Sequence, residues 1–126
     1  MIQFTPHMRI LVATSALDMR KGIDGIAAHC RLILGENPMS GVIFLFISRS
    51  RKHLRVLTYD GQGFWLATKR LSVGRFPHWP GAGGAGGESL PVQSLIQELQ
   101  ACQAQVLLQG GDPLQVRALS AWKKIA

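Results

Sequence analysis

Ile43, Phe44, Leu45, Phe46 and Ile47 form an unbroken, β-prone apolar run between Val42 and Ser48. A strand with no polar face must be covered on both sides, and the run is far too short to cross a membrane as a helix. Any fold must therefore supply a layer on each face of a central strand. The 126 residues, 47% of them hydrophobic, suffice for one domain with a substantial core but not for two independent ones.

Around this run the hydrophobic period changes. From Leu54 to Asp60 the residues alternate, with Arg55, Leu57 and Tyr59 on one face and Leu54, Val56 and Thr58 on the other. Gly61-Gln62-Gly63 supplies a tight turn, and a further strand runs from Phe64 to about Lys69. These three strands predict an antiparallel meander. Upstream, Ile10, Leu11 and Val12, within Arg9 to Thr14, predict another strand laid against the sheet. Ile23, Ile26, Ala27, Cys30, Ile33 and Leu34 recur at offsets of three and four, which gives one apolar helix face ending at Gly35, before Asn37 and Pro38. Asp24, His29 and Arg31 fall on the opposite face.

Between Gly81 and Gly87 there is only glycine and alanine, a composition that cannot bury enough surface to fix one conformation and predicts a flexible linker. Beyond it, Pro91 suits the first turn of a helix. Val92, Leu95, Ile96, Leu99 and Val106 keep helical spacing towards a stop at Gly110-Gly111-Asp112-Pro113, with Gln97, Gln100 and Gln103 on the polar face. Such a helix either folds back on the sheet or docks on a partner. The expected organisation is α+β: an antiparallel β-meander with one packed N-terminal helix in a core at 1–80, a linker at 81–87 and a C-terminal helical extension at 88–126.

Charge placement carries the functional signal. The net charge is +7, and half of the fourteen basic residues, Arg49, Arg51, Lys52, Arg55, Lys69, Arg70 and Arg75, share one stretch in which Asp60 is the sole acid. A field of one sign concentrates polyanions, so nucleic acid is the expected partner. The tip Arg49-Ser50-Arg51-Lys52-His53, as a protruding ribbon, suits the major groove, where guanidinium groups grip phosphates or pair with guanine. The plainer alternative is a charged edge that blocks sheet aggregation, for which two or three lysines would suffice. If about six of these cations engage duplex DNA, affinity falls with salt at a log-log slope near minus five. Charge alone does not separate DNA from RNA or from an acidic protein surface.

Tyr59, Phe64, Trp65, Phe76 and Trp79 interleave with these cations and either pack in the core or stack on unpaired bases. Trp79, between Pro77 and Pro80, is the one expected outside the core. Trp122-Lys123-Lys124 adds a weaker basic spot.

Other chemistry finds little footing. Cys30 and Cys102 belong to no CxxC pair and read as buried thiols; His7, His29, His53 and His78 lack ligand spacing. Neither a metal nor a cofactor is expected. Among the seven acids no triplet suggests a two-metal catalytic site. Asp18 or Asp24 reads as a helix cap and Asp60 as a turn initiator, so the chain is not expected to be an enzyme, a metal-dependent nuclease being the weaker alternative. Gly61-Gln62-Gly63 lies between strands rather than before a helix, a poor nucleotide cradle. Arg20-Lys21 beside the helix start offers a phosphate contact or a solvated surface. No secretory signal or membrane span is read, and the cytoplasm is the expected compartment.

The order of several motifs is specific. Asp18-Met19-Arg20-Lys21-Gly22-Ile23-Asp24-Gly25 precedes the apolar helix, and Pro38-Met39-Ser40-Gly41 leads into Phe44-Leu45-Phe46. Tyr59-Asp60-Gly61-Gln62-Gly63-Phe64, Lys69-Arg70-Leu71 and Gly74-Arg75-Phe76 follow. This series closely resembles TnpB, the Orf2-like accessory protein encoded by the second reading frame of bacterial insertion sequences of the sixty-six type. The resemblance runs from about Arg9 to Pro80 and extends weakly to Trp122-Lys123. It implies a helper in transposition, acting beside a separate, larger transposase that carries out strand transfer. That transposase and, from the charge pattern, DNA are the expected partners. The expectation is therefore an accessory protein that binds DNA through its basic hairpin; the alternative is an assembly factor that binds transposase through Leu95, Ile96 and Leu99 or through the sheet.

Overall fold

The computed structural model describes residues 4–81 and 95–115. The predicted linker beyond Gly81, the proposed helix start at Pro91 and the basic spot at Trp122-Lys123-Lys124 lie outside the described residues. Five strands form one mixed sheet: β1 (Ile10–Ala13), β2 (Ile43–Ile47), β3 (His53–Tyr59), β4 (Phe64–Arg70) and β5 (Ile96–Leu99), in the order β4-β3-β2-β1-β5. Helix α1 (Ile23–His29) continues into a π-helical turn at Cys30–Leu34, and helix α2 (Ala101–Leu108) follows β5. The architecture is α+β, as the period changes predict.

The meander β2-β3-β4 is antiparallel, with Leu45 opposite Val56 and Val56 opposite Ala67. The first strand departs from it. β1 lies parallel to β2, with Leu11 level with Phe44, because the chain crosses from one to the other through α1 and so re-enters the sheet from the same end. β1 is thus the inner strand of a β-α-β unit rather than an addition to an antiparallel sheet.

The unbroken run of β2 has a layer on each side, and all five of its residues are buried. On one face Ile10, Val12, Ile43, Leu45, Ile47, Leu54, Val56 and Leu99 pack under Ala104, Leu107 and Leu108 of α2, with Phe76 and Trp79 closing the layer. On the other face Leu11, Ala13, Phe44, Phe46 and Leu57 pack against Leu17, against Ile26 of α1 and against Cys30 of the π-helical turn. Burial pushes the Cys30 thiol up to about 11.

Gly35 ends the first helix as its sequence position predicts. It takes the left-handed φ of 69°, which leaves the Gly35 and Glu36 N–H groups donating to the Cys30 carbonyl. The π-helical turn adds a residue to the preceding winding, and Ile33, which the three-and-four spacing puts on the buried face, is turned outward and 54% exposed.

Two further expectations are corrected. Ile96 to Leu99 is strand, not helix: it pairs antiparallel with β1, Ala13 opposite Ile96 and Ile10 opposite Leu99. Only from Ala101 does the chain turn helical, started by a reciprocal cap between the side chains of Gln100 and Gln103 and each other's backbone N–H. Trp79, expected outside the core, is 3% exposed, and its Nε1 donates to the Ala13 carbonyl at 2.8 Å. That bond satisfies the carbonyl at the end of β1 and fixes the irregular segment across the sheet. Among the described residues Trp65 is instead the exposed aromatic, at 66%.

Truncating Trp79 to alanine should therefore cost about 3–5 kcal/mol in unfolding free energy. Trp65→Ala should cost under ~1 kcal/mol, since its side chain is mostly in water. Urea denaturation of the two variants compares them, and equal losses would contradict this assignment of core and surface.

Candidate nucleic-acid interface

The parallel pair fixes where the candidate side chains gather. β1 and β2 finish at the same end of the sheet, β3 begins there and β4 returns there, so residues 14–22, 48–52 and 71–81 share that end. Backbone bonds join them: Leu17 N–H donates to the Ile47 carbonyl, Leu71 N–H to Lys52 and Phe76 N–H to Arg51. The predicted protruding ribbon is consequently a short turn docked against residues 71–76. Arg51 takes a left-handed φ of 63°, held by its own N–H on the Ser48 carbonyl and by the bond from Phe76.

Of the seven predicted cations, Arg49, Arg51, Lys52, Arg70 and Arg75 come together at this end. All but half-buried Arg51 are exposed. The other two have partners within the fold. Lys69, opposite Leu54 on the α2 face, donates through Nζ to the Leu108 carbonyl and so caps the end of α2. Arg55 lies on the opposite face across from Phe46; its Nη1 donates to the Lys21 carbonyl at 2.8 Å, and its buried Nε has no hydrogen-bond partner. Arg55 thus ties the loop before α1 to the sheet.

That loop carries Asp18, Met19, Arg20, Lys21 and Gly22. Asp18 does not cap the helix, and neither does Asp24; the capping position is Gly22, without a side-chain bond. Asp18 closes a turn instead. Its Oδ1 accepts from Arg20 N–H at 2.9 Å and from Arg20 Nε at 3.1 Å, its Oδ2 accepts from Arg20 Nη2 at 3.0 Å, and its carbonyl accepts from Lys21 N–H. Met19 packs on the core beneath α1, while Asp24 and Gly25 lie in the helix's first turn.

Asp60, Gly61, Gln62 and Gly63 sit at the opposite end of the sheet, joining β3 to β4. Asp60 Oδ1 accepts from the N–H groups of Gln62 and Gly63, its Oδ2 accepts from Trp65 Nε1 at 2.7 Å, and Gly61 takes a φ of 98°. These bonds hold the Asp60 carboxyl below its usual range, the Gln62 backbone bond contributing most. This is the turn-initiating role its sequence context predicts. Among the described residues no three of His, Cys, Asp and Glu come together as a metal site.

The acids at the basic end are fewer than its cations: Asp24, exposed in the first turn of α1, Asp18 and Asp112 stand against Arg20, Lys21, Arg49, Arg51, Lys52, Arg70 and Arg75. Asp18 is bound by Arg20, and Asp112 stands 3.9 Å from His78 and accepts from Leu114 N–H. Glu36, Asp60 and Glu98 lie towards the other end, Glu98 paired with Arg9 at 2.9 Å. Among the described residues the cations therefore outnumber the acids at this end, a positive pole built from three loops. Sequence reasoning grouped the cations by proximity in the chain and missed that a cleft of about 420 Å³ opens between the Asp18 turn and Ser48, Arg49, Ser50 and His53. The order strand, helix, strand at the chain's start was the signal for it, since parallel strands bring their carboxyl ends together.

Among the described residues no helix is long and apolar enough to cross a membrane. The fold defines a small α+β protein with a cluster of cations at one end of its sheet. The family model described as IS66 Orf2 like protein matches residues 8–118, and the chain belongs to that family. Two proteins of Sinorhizobium fredii (strain NBRC 101917 / NGR234), both described as uncharacterized, are similar. Protein y4hO is 41% identical over 87 residues, 69% of this chain and 75% of its own length. Protein y4jC is 38% identical over 78 residues, 62% of this chain and 67% of its own. No solved structure matches.

Arg20 holds the Asp18 carboxyl down at about 2, chiefly through its side-chain bond and then through its backbone N–H. The sign follows: a depressed carboxylate favours the folded loop above the ordinary carboxylate range, and that contribution is lost as pH falls through the folded value. In the Arg20→Met variant the Asp18 titration midpoint, followed by carboxyl NMR shifts, should rise towards the ordinary value of about 3.9. An unmoved midpoint would show that the pair does not control the loop.

Proposed function

We propose that this chain serves transposition as an accessory protein that binds DNA through its positive pole and assists a separate transposase. Membership of the IS66 Orf2-like family supports the accessory role in transposition. The observation that carries the DNA reading is the convergence of Arg49, Arg51, Lys52, Arg70 and Arg75 at one end of the sheet, where they outnumber Asp18, held by Arg20, Asp24 and Asp112. In this reading the five side chains contact phosphates. Lys69 and Arg55, given contact roles on sequence grounds, support the interface from behind. A rigid end of three tied loops places charges at fixed spacing on the backbone but does not itself read bases.

Five phosphate contacts on duplex DNA give a log-log salt slope of about −4.5. Fluorescence anisotropy of an element-end duplex across a salt series should return that slope, and the combined Arg49→Gln, Lys52→Gln, Arg75→Gln variant should reduce it to about −1.8. A flat dependence in the unaltered chain would remove the DNA reading. Tighter binding to the element end than to a scrambled duplex would add sequence recognition to backbone binding.

A second reading, an assembly factor that binds transposase without contacting DNA, draws on a different surface. Leu32 and Ile33 are 80% and 54% exposed beside the edge strand β5, where Ile96 also lines the groove. The contact set named from the sequence fits less well, because Leu99 is buried in the core. Deleting everything beyond Gly87 would remove β5 and α2 from the fold and so does not isolate a partner-binding tail. The combined Leu32→Glu, Ile33→Glu variant is the better discriminator: in a pull-down with the element's transposase, loss of association with an unchanged DNA salt slope would support this second surface.

A further inference from the structure

We propose that the cleft between the Asp18 turn and Ser48–Ser50 binds one phosphomonoester, carried by the end of a DNA strand or by a free nucleotide. The DNA form of the proposal rests on the reading above; the phosphate site itself does not. The cleft lies beyond the carboxyl ends of the parallel strands β1 and β2, lined by residues 16–20 on one side and Ser48, Arg49, Ser50 and His53 on the other. Loops from two adjacent parallel strands converge there, the position at which open sheets hold their ligands.

The hydrogen-bond inventory of this cleft is unbalanced towards donors. Ser48 is 5% exposed; its Oγ accepts from His53 N–H at 3.1 Å and lies 3.1 Å from Ser50 Oγ. Two hydroxyls carry two protons, and their mutual bond uses one. If Ser48 donates, the Ser50 proton is left over; if Ser50 donates, the Ser48 proton is. Among the described residues neither the Arg49 guanidinium nor the His53 ring has a hydrogen-bond or ion-pair partner. The carboxylate in the wall does not compensate, because both Asp18 oxygens already accept from Arg20. The vacant valences are thus a hydroxyl proton, a guanidinium fork and an imidazole, which together call for a compact anion with several acceptor oxygens.

A phosphomonoester supplies three terminal oxygens and a double negative charge, whereas a phosphodiester within a duplex offers two oxygens and brings a strand on either side. The volume of about 420 Å³ exceeds what phosphate alone needs and leaves room for the attached nucleoside. The site is also preorganised. Ser48 N–H donates to the His53 carbonyl, Arg51 N–H to the Ser48 carbonyl and Phe76 N–H to the Arg51 carbonyl, so the turn holds the hydroxyl pair without a ligand.

Two measurements on the full chain test this. In the first, short duplexes bearing a 5′-phosphate or a 5′-hydroxyl are compared by anisotropy at one salt concentration. Charge-assisted bonds to the terminal group should tighten binding about tenfold, and Ser50→Ala, at an exposed position, should collapse that ratio to near one. In the second, adenosine monophosphate and inorganic phosphate are titrated while the amide resonances of residues 48–53 are followed. Shifts at these residues together with the end preference assign the site to a DNA end; shifts without the preference assign it to a free nucleotide. Equal binding of the two duplexes with no shifts on titration would overturn the proposal. If the chain binds no DNA, the proposed function falls while the titration still decides the cleft.

Discussion

The parallel pairing of β1 with β2 is the constraint on which the rest of this structure depends. Two strands buried on both faces cannot be joined by a hairpin when they run the same way, so the connection passes through α1 and covers one face. The second face must then be covered by something later in the chain, and α2 with Phe76 and Trp79 does so. With the centre fixed, every connection is assigned to one end or the other. The loop before α1, the turn into β3 and the segment after β4 reach the carboxyl end together, and five of the clustered cations collect there.

This topology explains why the seven clustered cations do not act alike. Side chains alternate across a strand, so adjacent Lys69 and Arg70 face opposite layers of the molecule. Lys69 meets the end of α2, where a cation satisfies a free carbonyl, while Arg70 stands across from His53 on the other face. Arg55 is drawn under the loop before α1, where its guanidinium serves the Lys21 carbonyl. What remains is a compact positive pole rather than a charged ribbon. Its rigidity comes from main-chain bonds between loops, so the spacing of the charges does not depend on long side chains finding one another in water.

Much of this was legible in the sequence, and the limits are physical. The unbroken run at Ile43 to Ile47, the alternation after Leu54, the glycine turn at Gly61 and the helix stop at Gly35 are local signals, and each corresponds to an observed element. Ile96 and Leu99 are three apart, a spacing that suits one helical face equally well as a short strand buried on both sides. The open edge of β1 decides between them, and that edge is created by a crossover some seventy residues earlier in the chain. Trp79 has no periodic context at all. It is buried by packing in the layer with Phe76 and anchored by its bond to the carbonyl of Ala13, a partner that lies in a distant strand and that no window around residue 79 contains. Within the site, the cations were legible as a group. Their division into those gathered at the pole and those bonded within the fold was not, because it depends on which face of β3 and β4 each one occupies.

The two halves of the family pattern also separate once they are placed in space. Asp60 to Gly63 spends its polar groups on its own turn: both Asp60 oxygens accept from neighbours within five residues, and Gly61 supplies the left-handed conformation that the turn requires. A change there disturbs one hairpin at the end remote from the positive pole. Asp18 to Gly22 behaves differently, since its bonds link an ion pair, a strand of the sheet and the wall of a cleft. Arg20 and Arg55 hold that segment from two sides, and its free surface faces Ser48, Arg49 and Ser50 across the opening. Turn chemistry alone accounts for the first half of the pattern. The second half is built around a space, and a fold that needed only to enter a helix could have done so with one capping residue in place of this ion-paired loop.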